Sequence, residues 1–172
     1  MSIVPQDTFL FSDSIIKNIK FSNEKASFEE VEMAAELACA KEFIDELEDN
    51  FYTEIGERGM GLSGGQKQRI SITRALVRRA KILILDDSTS ALDMETEYTL
   101  LKNLSKREDT STTFIIAHRI SAVKNADIII YLEDGEIKEK GTHEELLKIK
   151  GKYFDIYCNQ FKDFNLLEEE VI

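Results

Sequence analysis

Three groups of residues in this sequence have the side chains and spacing to handle a phosphorylated ligand. The first is Asp86-Asp87, which follows the apolar run Ile82-Leu83-Ile84-Leu85. Carboxylates at the C-terminal end of a parallel strand sit where α/β proteins place ligands. There Asp86 would hold Mg²⁺, directly or through water, because Mg²⁺ takes oxygen ligands and keeps much of its hydration. Asp87 would polarise an attacking water. Taken alone, an apolar strand ending in acidic turn residues is common. The second group is Leu62-Ser63-Gly64-Gly65-Gln66. Two glycines let backbone N–H groups approach a phosphate, the Ser63 hydroxyl donates, and a helix starting here adds its N-terminal dipole. The string reads equally as a glycine-containing loop with a capped helix. The third group is Ser90-Ala91-Leu92-Asp93, where Asp93 also fits as an N-cap. His118 directly follows an apolar run and Gln6 stands near the start; neither carries a signal in isolation.

Positioning these groups requires alternating elements. Ser12 or Asp13 can cap a short helix running to Lys20. Ser27-Phe28-Glu29-Glu30 is a capping box opening a helix with Val31, Ala34, Ala35 and Ala38 on one face. Residues 40–47 read as another short helix. Ser63-Gly64-Gly65-Gln66 is again a capping box, leading into Ile70, Ile72, Ala75 and Leu76. Apolar runs at 82–85, 114–117 and 128–132, with a helix at 96–106 between the first two, predict a parallel sheet covered on both faces. Asp134-Gly135 predicts a hairpin turn into residues 136–140. Thr142-His143-Glu144-Glu145 caps one more helix, and residues 153–161 form another.

The composition narrows the function classes. A chain of 172 residues with 42% apolar and 32% charged side chains is long and apolar enough for a packed domain and excludes a disordered one. Its net charge of −11 argues against a nucleic-acid partner. The dense basic run Lys67, Arg69, Arg74, Arg78 and Arg79 lies on one predicted helix and reads, for most members, as a solvated face. The longest apolar stretch, 128–132, is strand-sized and far short of a bilayer span, and the N-terminus does not resemble a signal peptide. Cys39 and Cys158 lack metal-ligand spacing and read as buried or half-buried free thiols. His143 falls in no chemical motif and reads as a surface residue at a helix start. With a single proline, Pro5, and no Gly/Ser-rich linker or repeat, the chain reads as one domain of two lobes, a helical one over 7–80 and the remainder over 81–172.

In their order and spacing, Gln6, residues 62–66, Asp86-Asp87, residues 90–93 and His118 resemble the Q-loop, signature, Walker B, D-loop and H-switch of ATP-binding cassette (ABC) ATPase domains. Thr53-Glu54-Ile55-Gly56-Glu57-Arg58-Gly59 resembles the segment preceding the signature in ABC exporters, as does the tail from Gly135-Glu136-Ile137 to Gly141-Thr142-His143-Glu144-Glu145-Leu146. The resemblance covers residues 4 to about 157. It implies an α/β fold, an incomplete P-loop NTPase (RecA-like) parallel sheet with an inserted α-helical lobe. It also implies ATP and Mg²⁺ as ligands. Asp87 and His118 would be catalytic; Gln6, Leu62, Ser63, Gly64, Gly65, Gln66 and Asp93 would bind ATP; Asp86 and Gln6 would hold Mg²⁺. In the family two such domains pair head to tail, with ATP between one P-loop and the other's signature. The implied partners are a second ABC ATPase domain and the transmembrane domain of an exporter, on the cytoplasmic side of the cell membrane. Soluble ABC proteins acting on DNA or ribosomes are the alternative, but they usually carry coiled-coil insertions or two linked cassettes, and neither occurs here.

Two departures from the family pattern shape the expectations. No Gly-x-x-x-x-Gly-Lys-[Ser/Thr] string occurs in the 172 residues, so the loop that cradles β- and γ-phosphates is missing. In the family it lies upstream of the Q-loop, so the chain is expected to begin inside the domain and to expose apolar sheet faces. On its own it is expected not to hydrolyse ATP, acting at most as a binding piece or remnant. The second departure is Asp87, where fully active members usually carry Glu. Asp is shorter by one methylene, roughly 1.5 Å of reach, which would impair turnover more than binding. An intact signature beside a weakened Walker B is the pattern of the degenerate-site subunit of a heterodimer.

Overall fold

The computed structural model describes residues 1–107 and 111–169; residues 108–110 and 170–172, part of the expected second lobe, lie outside them. The chain forms two compact units, Met1–Ala117 and His118–Ile172.

The first unit begins with a strand that local patterning does not announce, β1 (Ser2–Val4). Helices α1 (Ile15–Lys20), α2 (Phe28–Leu37) and α3 (Lys41–Asp45) follow, then two 3₁₀ turns at Asn50–Tyr52 and Glu57–Gly59. The long helix α4 (Gly64–Leu76) leads to β2 (Ile82–Asp86), α5 (Met94–Ser105) and β3 (Thr112–Ile116). The capping boxes at Ser27 and Ser63 both form, each serine accepting from the backbone N–H three residues on while the Glu30 or Gln66 side chain answers. These bonds satisfy helix-terminal N–H groups that would otherwise lack partners, so local sequence fixes both helix starts.

The three strands form one parallel sheet in the order β1-β2-β3, with Val4 beside Leu85 and Leu85 beside Ile115. Val4, Leu83 and Leu85 point to one face and join a core with Ile70, Ile72, Ala75 and Leu76 of α4 and Val31 and Ala35 of α2. Each such fully buried aliphatic side chain contributes roughly 1.5–3 kcal/mol. The opposite face is bare: Ile3, Phe114 and Ile116 are each more than half exposed and Ile82 more than a third. The expectation of a sheet covered on both faces is therefore corrected, since helices cover one face only. The expectation of exposed apolar sheet faces is met.

The second unit contains α6 (Ile120–Val123), β4 (Ile129–Glu133), β5 (Glu136–Gly141), α7 (His143–Ile149) and α8 (Lys152–Glu169). The run at 128–132 was expected to extend the parallel sheet. Instead β4 pairs antiparallel with β5 in a separate two-stranded ribbon. The turn decides this: Asp134 and Gly135 both have positive φ, 53° and 76°, the backbone of a tight hairpin, whereas a parallel partner needs a long crossover. Ile120, Ile129, Leu146 and Tyr153 form this unit's core. His143, expected at the surface, is half-buried: its Nδ1 lies 2.7 Å from the Tyr153 hydroxyl and its ring packs edge-on against Tyr153 and Tyr157. Burial pushes the Tyr153 pKa up to about 12.

The bare face of β1-β2-β3 has a measurable consequence. The 172-residue polypeptide produced by itself should self-associate or precipitate, because contiguous exposed apolar surface drives association. Light scattering coupled to size exclusion checks this; a monomer with a sharp, reversible thermal transition contradicts it.

Candidate functional site

The sheet register brings the first candidate residues together. β1 ends at Val4 and β2 at Asp86, in adjacent parallel strands, so the chain leaving each strand emerges at the same C-terminal edge. There Gln6 Nε2 donates to Asp87 Oδ2 at 3.2 Å, across 81 positions of sequence. Asp86 is half-buried at the strand end, beside Ile116 of β3. Asp87 takes a left-handed backbone, φ 45°, and its N–H donates to Ile116 O at 2.8 Å. Aspartate tolerates this region better than most side chains. With Gln6 Nε2 donating to Asp87, Gln6 Oε1 and the two carboxylates are the hard oxygen donors of this edge. A Mg²⁺ held by one or two protein carboxylates, with phosphate and water completing its shell, fits this set.

The turn after Asp87 is tightly held. Ser90 Oγ donates to Asp87 O at 2.8 Å, and the buried Thr89 hydroxyl donates to the buried Glu97 carboxylate at 2.8 Å. Asp93 caps α5, its Oδ1 accepting from Thr96 N at 2.9 Å and its Oδ2 from the Thr96 hydroxyl at 2.8 Å. Those two bonds, the backbone one first, hold its carboxyl below the usual range. Asp93 thus has the local capping role the sequence suggests.

The signature forms the first turn of α4. Ser63 Oγ accepts from Gln66 N at 3.2 Å, and Gln66 Oε1 accepts from Ser63 N at 2.9 Å. Because Oγ only accepts here, the hydroxyl proton stays available to an incoming anion. Ser63 and Gly64 are exposed, while Leu62, Gly65 and Gln66 are half-buried. Gly65 is packed closely inside the chain: a Cβ there would stand 3.0 Å from the Ala91 carbonyl oxygen, so the turn would have to give by a few tenths of an ångström to admit one. His118 belongs to the second unit, where its ring is exposed and its carbonyl accepts from Gln160 Nε2 at 2.7 Å.

Several residues that sequence reasoning passed over organise this site. Of the basic run only Arg78 and Arg79 are exposed, and both lie past the end of α4. Arg74 is half-buried and donates to Asn18 O at 2.8 Å, Phe9 O at 2.9 Å and Asn18 Oδ1 at 2.9 Å. Burial lowers its pKa, though it remains a cation. Arg69 donates to Cys39 O at 2.6 Å and stacks over Phe43 at 4.6 Å. Both cysteines are half-buried free thiols, as expected. Gln68, on the buried face of α4, accepts from Ala91 N at 3.0 Å. A glutamine within the apolar stripe of a helix was the available signal; its partner was not legible.

One polar group works against the fold here. Ser88 is 1% exposed, and its hydroxyl has no hydrogen-bond partner among the described residues. An unsatisfied buried hydroxyl costs about 1–3 kcal/mol. Ser88→Ala should therefore leave stability unchanged or raise it by about 1 kcal/mol, read as a melting temperature equal to or above that of the parent protein. A clear fall would show that the hydroxyl has a partner in solution.

Comparison with known proteins places these features in a lineage. A family model described as ABC transporter matches residues 1–90, the stretch that holds Gln6, the signature and Asp86-Asp87. The chain is 50% identical over 169 residues to an uncharacterised ABC transporter ATP-binding protein, YknU, of Bacillus subtilis (strain 168), covering 98% of this chain and 29% of that protein. It is 49% identical over 160 residues to an ATP-dependent lipid A-core flippase of Desulfotalea psychrophila, covering 93% of this chain and 28% of that protein. It is 52% identical over 147 residues to the alpha-hemolysin translocation ATP-binding protein HlyB of Escherichia coli, covering 86% and 21%. The chain thus spans less than a third of the length of these relatives. Its fold superposes on a bacterial Atm1-family ABC exporter solved with ATP bound, with a TM-score of 0.89 and 42% identity over 92% of this chain and 28% of that one. The chain belongs to the ABC transporter family, as sequence of an exporter-type ATP-binding domain.

Proposed function

We propose that this chain supplies the signature and Walker B side of an ATP-driven export motor that works head to tail with a second ABC ATPase domain. The observation that carries the reading is the Gln6–Asp87 hydrogen bond at the C-terminal edge of the parallel sheet, in a chain that also presents the capped Ser63–Gln66 turn. Asp86 and the Gln6 carbonyl oxygen would hold Mg²⁺, which when bound neutralises charge on the phosphates. Asp87 would accept the proton of the attacking water, with Gln6 orienting its carboxylate. Leu62, Ser63, Gly64, Gly65 and Gln66 would close over a nucleotide held by the partner domain, the Gly64 and Gly65 N–H groups and the Ser63 hydroxyl donating to its phosphates. Asp93 would lie at the same subunit boundary, and His118 would take the catalytic role that the family resemblance gives it. Turnover is assigned to the assembled transporter, because this stretch offers ATP no lysine-bearing phosphate loop.

Asp87 refines the proposal. Its carboxylate is one methylene shorter than the glutamate usual here, and its left-handed backbone with the bond to Gln6 fixes the short side chain in place. We therefore read the parent as the degenerate-site subunit of a heterodimer, in which this chain's signature completes the faster site on a Glu-bearing partner. Replacing Asp87 with Glu in the full-length pair should raise MgATP turnover about tenfold or more, since a displaced catalytic group can cost two orders of magnitude. If the unaltered pair already turns over as fast as the D87E form, the degenerate-site reading is wrong.

A transmembrane partner fits the surface after Gln6. Phe9 and Phe21 are more than half exposed and flank Phe11, with ring centroids 5.1 and 4.6 Å apart. Exposed aromatics in contact are expensive in water and favour a docked partner. Arg74 and Asn18 hold their backbone in place: Asn18 Oδ1 accepts from Phe11 N at 2.8 Å and its Nδ2 donates to Phe11 O at 3.0 Å. We assign this patch to the cytoplasmic end of a transmembrane domain, which would place the chain on the cytoplasmic side of the membrane. Phe9→Asp with Phe21→Asp in the full-length protein should leave ATP binding intact and lower substrate-stimulated ATPase severalfold. Unchanged stimulation would remove the patch from the docking surface.

A further inference from the structure

The turn between Asp87 and Asp93 meets the signature helix at Ala91. Gln68, 5% exposed, lies one turn into α4, and its Oε1 accepts from the backbone N–H of Ala91 at 3.0 Å. The carbonyl of the same residue faces Gly65, where a Cβ would lie 3.0 Å from its oxygen, and at Gly64 a Cβ would lie 3.6 Å from the Ala91 Cβ. Helix α4 thus grips the Ala91 residue on its N–H side, its carbonyl side and its side chain. The rest of the turn is fixed independently: Asp87 N donates to Ile116 O, Ser90 Oγ donates to Asp87 O, and Thr89 Oγ1 donates to the Glu97 carboxylate. Both its ends are anchored, so a shift of α4 at Gln68 is passed to the peptides between Asp87 and Asp93.

We infer that Gln68 is a positioning residue that ties this turn to the signature helix, so that contacts made at Ser63–Gln66 are felt at Asp87 of the same chain. The inference rests on the head-to-tail reading above. In that arrangement Asp87 serves one nucleotide and the signature serves the other, and Gln68 makes the two half-sites of one chain respond as a unit. The physics separates this role from ordinary packing. The contact is one neutral hydrogen bond to an exposed residue, so its loss changes global stability little. What disappears is the fixed placement of the turn, and catalytic geometry is sensitive to displacements of about 1 Å.

The test uses the full-length protein with its partner domain, comparing Gln68→Met, which keeps the shape but loses the acceptor, with Gln68→Glu, which keeps an acceptor oxygen. The measurements are melting temperature, KM and kcat for MgATP, and hydrogen exchange of the Ala91 amide. The pair measured also carries Asp87→Glu, so that this chain's own site contributes to turnover. In it Gln68→Met should melt within a few degrees of its parent, keep KM within about twofold, lower kcat about twofold or more, and speed Ala91 exchange. Gln68→Glu should recover most of kcat and of the exchange protection. Unchanged Ala91 exchange in Gln68→Met overturns the tether whatever the activity. Faster exchange with parental kcat overturns its positioning role, as does a kcat loss that Gln68→Glu shares in full. Absence of MgATP turnover in the parent would instead sink the motor reading, and the exchange measurement would still decide whether the tether exists.

Discussion

The first unit is arranged around the burial of one face of α4. Ile70 and Ile72 are fully buried on it and Ala75 and Leu76 nearly so, and β1, α1 and α2 all pack against that helix. Because the helix cannot rotate without exposing this stripe, the direction of its first turn is fixed, and with it the position of Gly64 and Gly65. Polar side chains at three levels then reach separate segments: Gln68 to the turn before α5, Arg69 to the end of α2, and Arg74 to the segment after Gln6. The arginine bonds use a charged donor and are stronger than neutral ones. The apolar stripe thus sets where α4 lies, and these polar contacts set where the surrounding loops lie on it.

What could be read from the sequence divides along the range of the interactions. The capping boxes at Ser27, Ser63 and Thr142 formed as read because both halves of each lie within four residues. The hairpin at Asp134-Gly135 was legible for the same reason. The three-residue β1 was not, because three residues show no periodicity and its only signature is a partner some 80 positions away. The run at 128–132 looked like the other apolar strands, and nothing in it says which sheet it joins; the two-residue turn beyond it does.

The site was legible as a set of residue types but not as a mechanism of placement. Gln6, the signature, the acidic pair and Asp93 were identifiable from order and spacing. The residues that hold them, Asn18, Gln68, Arg74 and Glu97, were not, because each works through a tertiary contact that leaves no local trace. Arg74 was misread for a general reason: a long side chain on a charged helix buries its stem and head as readily as it extends into water. His143 was misread likewise, since a helix-start histidine shows no sign of the tyrosines stacked against it.

The pairing of Ser2 with Leu83 also orders the events of folding. A parallel strand pair with so large a separation cannot close until the intervening chain is in hand, and closing it loses the entropy of the whole loop. The helices between the two strands make most of their contacts among themselves, so they can condense first. The short edge strand would dock onto β2 only afterwards, and Gln6 follows it by two residues. The hydrogen bond between Gln6 and Asp87 is therefore a late product of folding, and the residues proposed for chemistry would come together last, on a helical body already formed.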